Sequence, residues 1–542
     1  MEQYKNLDIV EMPLGSRYFS DKVSRFLGAN GLRMEAMDTY YAVQDADGNI
    51  IAGAGISKDV IKCVAVAEEA RSEGLMVPLI SRIVAGRGNL KVFTKPEYRT
   101  VFESLGFHVL GEAPKAILLE NGRRLQQYCD RLHAFAGGGK TGVIVMNANP
   151  FTLGHKYLVE KALAQVDHLV VIPVMEDVSM FPYKERLEMI CRGVASVKDG
   201  DVDVVEGSPY TISAATFPTY FLKDLSTAAE TQMRLDLDLF ARHIVPALGA
   251  DVRFVGTEPD DPLTARYNQL MKEILPIPVV EVERLPGVSG TRVRSAKYPE
   301  AAALTPPSTH PYLLSRFIEK ALVAELDTPL KPGLVGPGCN GAHTDMDYGL
   351  MKRGAAAIRR SFTANIGLLP DLAAFGKAIE ADSLAATGGV NTHRGAIFAL
   401  GLMAVAALQG CEISELAAGL KQPEGTHGAA APWAKGALKM AQDGYRELFA
   451  IWLPFYRSLE GDPFRMQKTL LKIMSGLDDT CVIHRAGEAK AGDIKLESRN
   501  LLKDFSVEKL QETTDRYNAG RVSPGGSADM LALTVLADTL FN

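Results

Sequence analysis

The stretch Gly142-Val143-Ile144-Val145-Met146-Asn147-Ala148-Asn149-Pro150-Phe151-Thr152-Leu153-Gly154-His155 decides how this chain is read. Val143–Met146 is an unbroken apolar run of the kind buried on both faces of a parallel sheet. A turn follows, and Thr-Leu-Gly-His then opens a helix with Leu158, Val159, Ala162, Leu163 and Val166 on one face. Such a strand-turn-helix gathers backbone N–H groups, a hydroxyl and an imidazole around one point, where a nucleotide phosphate can sit. The glycine permits close backbone approach. His155, near the helix N-terminus, can bond oxygens that gather charge in a transition state. The expected chemistry is attack on the α-phosphate of a nucleoside triphosphate.

Outward from this stretch, residues 137–304 alternate strand and helix, as a doubly wound, Rossmann-like α/β domain requires. His168–Val174 returns as a second strand, and Val252–Val255 and Ile277–Val282 are later strands of the same sheet. Val288-Ser289-Gly290-Thr291-Arg292-Val293-Arg294 offers hydroxyls, amides and two arginines suited to the β- and γ-phosphates of a departing pyrophosphate. Gly137-Gly138-Gly139-Lys140-Thr141 imitates the end of a P-loop. It has Ala134 where the earlier glycine belongs, and it precedes a strand instead of following one, so it reads as a connector.

Residues 1–136 read as a small α+β domain. Tyr40–Val43 and Ile50–Ile56 flank a turn at Asp45–Asn49, and Leu90–Thr94 is a further strand. Thr305–Pro311 carries three prolines in seven residues and reads as a linker, so that 312–542 forms a third domain, all-helical, with patterns such as Gly395–Ala407 and Pro432–Met440. A length of 542 residues suits three domains at about 150 residues each. Net charge is −6 and no long basic run occurs, which argues against nucleic acid as a partner. The six cysteines have no C-x-x-C spacing and read as reduced core thiols. Met-Glu-Gln-Tyr-Lys at residues 1–5 lacks the build of a signal peptide. No apolar run reaches about 18 residues, so the expectation is a cytoplasmic protein without membrane attachment. In the helical region Asp345/Asp347 and Asp478/Asp479 are paired carboxylates of the kind that hold Mg²⁺ shared with substrate phosphates. Gly388-Gly389 beside Asn391, His393 and Arg394, and Gly525-Gly526 beside Asp529, suit close approach of a polyphosphate.

The Thr-Leu-Gly-His and Ser289–Arg294 elements together resemble the signature pair of the nucleotidyltransferase superfamily. The run Met146–His155, Ser179-Met180-Phe181-Pro182-Tyr183-Lys184-Glu185-Arg186, Val255-Gly256-Thr257-Glu258-Pro259 and Tyr267-Asn268 resemble citrate lyase ligase, over roughly residues 1–304. The N-terminal region, with Leu105-Gly106-Phe107, resembles the acetyltransferase-like domain of that family. Its pyrophosphate loop would fall near Arg71–Leu75, which holds one glycine, and docking of the carrier is expected there ahead of acetyl-CoA binding. The resemblance implies adenylation of acetate by ATP and transfer of the acetyl group to the acyl-carrier thiol of citrate lyase. It implies Thr152, His155 and Arg292 as catalytic residues. Asn147, Asn149, Pro150, Phe151, Gly154, Lys184, Arg186, Glu258, Ser289, Gly290, Thr291 and Arg294 would contact ATP.

Lys331-Pro332-Gly333-Leu334-Val335, Gly341–Met346, Gly388–Gly395 and Pro524–Asp529 resemble triphosphoribosyl-dephospho-CoA synthase, over roughly residues 312–542. That family joins 3′-dephospho-CoA to the ribose of ATP and expels adenine. The resemblance implies ATP contacts from Lys331, Asn391, His393, Arg394, Gly525 and Gly526. Asp345, Asp347, Asp478 and Asp479 would bind metal or act in catalysis, one of them as base. The chain departs from the family at Cys481 and Ala486-Gly487. The expectation is therefore a fused bifunctional enzyme using ATP, acetate and dephospho-CoA with Mg²⁺, and no tightly bound organic cofactor. Its rivals are a monofunctional ligase with a helical dephospho-CoA-binding domain and a non-catalytic scaffold.

Overall fold

A computed structural model describes residues 8–175, 179–197, 201–210, 228–258, 261–421 and 434–541. The readings made on residues 1–5, on Pro259 and on the start of the Pro432 pattern lie outside them. Seven strands precede the decisive stretch: β1 (Ile9–Met12), β2 (Thr39–Gln44), β3 (Ile50–Ser57), β4 (Val60–Val66), β5 (Lys91–Thr94), β6 (His108–Ala113) and β7 (Ala116–Glu120). They form one sheet in the order β1-β2-β3-β4-β5-β7-β6, with β4 and β5 the parallel pair. The β2–β3 hairpin closes where expected. Asp45 Oδ1 accepts the N–H groups of Asp47 (3.0 Å) and Asn49 (2.7 Å), a side chain standing in for a backbone turn acceptor.

Five strands follow: β8 (Thr141–Met146), β9 (His168–Pro173), β10 (Asp201–Val204), β11 (Val252–Gly256) and β12 (Val279–Val282). Their order is β10-β9-β8-β11-β12, parallel throughout. The chain winds outward from β8 to β10, then crosses to the other side of β8 for β11 and β12. Strand order thus reverses between β8 and β11, and loops leaving the carboxyl ends of such strands form a crevice. The sheet has two dissimilar faces. A methyl group added to Gly142 would stand 2.9 Å from the Phe254 ring and 3.2 Å from Val166, so the helix Leu153–Leu163 and its exit turn pack on that side. Val143, Val170, Ile172 and Val255 point the other way, into a core shared with Leu110 and Leu118 of the first sheet and with Leu235 and Leu239.

The chain divides into two compact units, Met1–Gly290 and Thr291–Asn542. From residue 291 the regular elements among the described residues are all helices, apart from an isolated bridge between Gly336 and Cys339. Gly525–Leu540 packs against His310–Leu326, Arg394–Gln409, Arg465–Met474 and Thr480–Lys503. Met530, Leu531, Leu533, Leu536 and Leu540 are all buried, as befits a helix enclosed by others. The proline-rich run at 305–311 is not a free connector. Thr305 and Thr309 are buried, and Pro307 and Pro311 sit at helix starts, where a missing N–H does no harm. The preceding helix Tyr298–Ala303 belongs to the helical unit too, with Lys297 Nζ 3.1 Å from Asp538 and the Tyr298 ring edge-on to His310 and Phe317. All six cysteines are free thiols, but only Cys63 and Cys129 are buried; Cys191 and Cys339 are exposed, because their positions fall on the outer faces of their elements. No helix among the described residues is long and apolar enough to cross a membrane.

Candidate active sites

At the carboxyl end of β8 the backbone turns sharply. Ala148 adopts a left-handed φ of 45°, and the Asn149–Pro150 peptide is cis. Thr152 is the N-cap of Leu153–Leu163, and His155 occupies the third helical position. The two residues interlock. His155 N–H donates to Thr152 Oγ1 (3.4 Å), and Thr152 N–H donates to His155 Nδ1 (3.0 Å), a capping box with imidazole in place of the usual carboxylate. Because Nδ1 accepts a backbone N–H, the neutral ring carries its proton on Nε2. Burial, then the Arg284 guanidinium, lowers His155 to about 4, so the ring is neutral at pH 7. Phe151 stacks on it at 5.7 Å between ring centroids. Gly154 lies close to Val288, whose Cγ1 would be 3.6 Å from an added methyl, so the start of the Ser289 element meets the helix N-terminus.

Asn147 is exposed at this mouth, while Asn149 Oδ1 accepts Phe181 N–H (3.1 Å) and Pro150 and Phe151 are buried. Arg186 differs from expectation. Its side chain is wholly buried, and it donates to the carbonyls of Phe181 (3.0 Å), Asn147 (3.0 Å) and Val174 (2.7 Å). With those donors committed to backbone, it ties the ends of β8 and β9 to the 181 turn instead of contacting phosphate. Lys184, two residues earlier, is exposed. Glu258 forms an ion pair with Arg284, which also lies over Gly256. Arg284 is a site cation that sequence reading missed; its one signal was a place just after β12 and before Pro286-Gly287. Gly290, Thr291, Arg292 and Arg294 fall in the short helix Gly290–Ser295, with Arg292 Nε 2.7 Å from Glu300 and Arg294 donating to Thr291 Oγ1 (2.9 Å). Ser289 immediately precedes that helix.

In the helical unit, Asp479 joins two helix starts. It caps Thr480–Lys503 by accepting Cys481 N–H (3.0 Å), and it accepts Gly526 N–H (3.3 Å), Ser527 N–H (2.8 Å) and Ser527 Oγ (2.9 Å) from Gly525–Leu540. A methyl at Gly526 would stand 3.0 Å from Asp479 Oδ1, so the glycine serves this approach, and its N–H is already bonded. Asp529 abuts Gly395 at the start of Arg394–Gln409, a third helix N-terminus. Buried Lys331 pairs with buried Glu325 and depresses the imidazole of His393, which burial lowers to about 4. Burial, then Asp479 and Glu325, pushes the Asp529 carboxyl well above the usual range. The structure thus gathers Lys331, His393, Asp479, Gly525 and Gly526. Glu325 and Asp529 join them without having been named as site residues.

The other expected residues make contacts of their own. Asn391 is exposed and accepts Arg394 N–H (3.2 Å), while Arg394 Nε pairs with Glu380 (2.9 Å). Asp345 is exposed, 3.8 Å from His343 Nδ1, and Asp347 caps Tyr348–Ala364 through Leu350 N–H (2.7 Å). Asp478 forms an ion pair with Lys495. Asp478/Asp479 therefore does not suit a metal ion: one carboxylate has a lysine and the other has both oxygens filled by N–H and O–H donors. Asp345 and Asp347 keep solvent-facing oxygens. Gly487, in the Ala486-Gly487 pair, takes φ 86° and breaks the helix, a conformation that favours glycine.

Comparison with known proteins follows the same division. A family model described as "Citrate lyase ligase C-terminal domain" matches residues 141–313. One described as "ATP:dephospho-CoA triphosphoribosyl transferase" matches 311–428 and 419–542. The citrate (pro-3S)-lyase ligase of Haemophilus influenzae is 44% identical over 258 residues, 46% of this chain and 76% of that protein. That of Escherichia coli is 40% identical over 50% of this chain and 83% of that protein. A 2-(5''-triphosphoribosyl)-3'-dephosphocoenzyme-A synthase of Klebsiella pneumoniae is 34% identical over 42% of this chain and 93% of that protein. A solved pantothenate synthetase from Thermus thermophilus aligns at a TM-score of 0.24 and 13% identity over 37% of this chain and 73% of that chain, too low to speak to the fold. The chain belongs to both families, a bifunctional enzyme that joins a citrate lyase ligase and an ATP:dephospho-CoA triphosphoribosyl transferase in one polypeptide.

Proposed function

We propose that both activities serve one prosthetic arm, that of the citrate lyase acyl-carrier subunit. In the ligase half an acetate oxygen attacks the α-phosphorus of ATP, a new O–P bond forms, and the bond to pyrophosphate breaks. The arm's thiolate then attacks the acetyl carbonyl, a C–S bond forms, and AMP leaves. The chain supplies position and charge for these steps. The Thr152–His155 interlock at the switch point carries the reading, because it presents a neutral Nε2–H donor beside a helix N-terminus. Arg284 and Lys184 are the cations this unit offers toward the leaving pyrophosphate, with Arg292 and Arg294 expected from the resemblance. The N-terminal sheet, through about residue 136, reads as an acetyltransferase-like domain that docks the carrier. Residues 137–304 read as the nucleotidyltransferase domain, its last turns packed within the helical unit.

In the transferase half the 2′-hydroxyl of dephospho-CoA attacks the anomeric carbon of ATP, a C–O bond forms as the hydroxyl proton passes to water, and the bond to adenine breaks as adenine takes up a proton. Three helix N-termini and Lys331 give the triphosphate a positive environment. Asp529, whose carboxyl burial and neighbouring carboxylates push well above the usual range, is suited to hand a proton to departing adenine. Bound Mg²⁺ would offset triphosphate charge, with Asp345 and Asp347 the carboxylates fitted to hold it. The test supplies ATP and Mg²⁺ with either dephospho-CoA or acetate plus thiol-form citrate lyase, and measures adenine, AMP and pyrophosphate. Adenine from the first mixture and AMP from the second are expected. AMP without adenine would remove the transferase activity from the reading.

A further inference from the structure

On the face of β8, β9 and β11 opposite Leu153–Leu163 lies a cavity of about 320 Å³. Val145, Val174, Met233 and Phe240 give it an apolar wall, and Tyr267 and Arg253 give it polar points. Arg253 is the unusual member. It is the second residue of β11, level with Val143 of β8, and is only 3% exposed, yet its Nε and Nη1 have no hydrogen-bond partner among the described residues. Its guanidinium lies 4.3 Å from the Phe240 ring centroid, a contact that stabilises the charge but satisfies no N–H. Asp236, a carboxylate that also lines the cavity, accepts a hydrogen bond from the Tyr267 hydroxyl. A buried guanidinium with free donors is costly to keep unless something fills them.

We infer that this cavity is the carboxylate pocket of the ligase half, with a small monocarboxylate accepting two N–H bonds from Arg253. The planar fork matches a carboxylate, and the apolar wall matches its hydrocarbon end. The position agrees. Val145 and Val174 border the cavity, and the adjoining carbonyls of Asn147 and Val174 are held by Arg186 at the mouth of the crevice. The cavity exceeds the needs of a two-carbon acid, so propionate and butyrate should bind as well as acetate. The inference rests on the ligase reading for the identity of the acid, while carboxylate binding can be measured without turnover.

The experiment uses the full chain and the variants Arg253→Met and Arg253→Lys. Acetate, propionate and chloride are titrated separately while thermal unfolding is followed, and KM and kcat for acetate are measured by AMP release. Acetate and propionate should raise the wild-type Tm and chloride should not. Arg253→Met should melt at or above the wild type without ligand and lose the acetate response. Arg253→Lys should raise the acetate KM about tenfold or more and leave the ATP KM unchanged. An acetate response that survives in Arg253→Met, or an unchanged acetate KM in Arg253→Lys, overturns the inference. Should Arg253→Met fail to fold, the lysine variant decides alone. Carboxylate binding without AMP formation by the wild type would overturn the ligase reading and keep the pocket.

Discussion

Two histidines show how burial sets chemistry one residue at a time. His155 is neutral because its surroundings disfavour the cation, and Thr152 fixes which nitrogen keeps the proton. His155→Ala should abolish AMP formation and leave adenine release intact; loss of both would contradict separate sites. AMP formation should show no fall from imidazole protonation between pH 6 and 8 (roughly two units above a pKa of about 4). His393 is likewise lowered from 6.5 to about 4. The unfolded chain therefore binds a proton more readily than the folded one between those values, and stability falls as pH drops through that window. The loss should reach about 3 kcal/mol. Urea midpoints at pH 7.5 and 4.5 check this: His393→Gln should flatten the difference, and an unchanged slope would refute the assignment.

At the scale of elements, a few side chains hold helix and strand ends in register. Arg186 bridges carbonyls from the 181 turn, the end of β8 and the end of β9. Arg186→Ala leaves buried acceptors orphaned and should cost about 3 kcal/mol, measured by denaturant unfolding, together with most AMP formation. Gly333 takes φ 73°, and a methyl there would run into the Val522 carbonyl oxygen. Gly333→Ala should therefore displace the Lys331 turn and lower adenine release at least tenfold while AMP formation continues, an outcome read directly from the two product assays. Asp479 plays the equivalent part for the helices beginning at Thr480 and Gly525. Sequence pattern marked Asp345/Asp347 and Asp478/Asp479 as ligands because they are paired carboxylates, and a helix cap and a metal ligand look alike in sequence. Only the donors around each oxygen separate the two.

For the whole molecule, two compact units should unfold as two calorimetric transitions. Gly333→Ala should lower the temperature of one and leave the other in place; a single transition that moves as a whole would show that the units are coupled. The sequence by itself determined the succession of mixed α/β and helical regions and the two families. Apolar strand runs, helix periodicity and long motif matches are local or nearly contiguous signals, and they marked β8, the His155 helix and the helical region correctly. It also singled out His155, Lys331 and His393. Tertiary structure decided what those signals could not carry. It moved the unit boundary from the proline run to Gly290/Thr291, because prolines at helix starts look the same as prolines in linkers. It turned Arg186 inward, made Asp479 a double cap, paired Arg284 with Glu258, set Asp529 against Gly395, and buried Arg253 beside Phe240. Such roles depend on which groups meet across strands and helices far apart in the chain, and that meeting exists only once the core has closed.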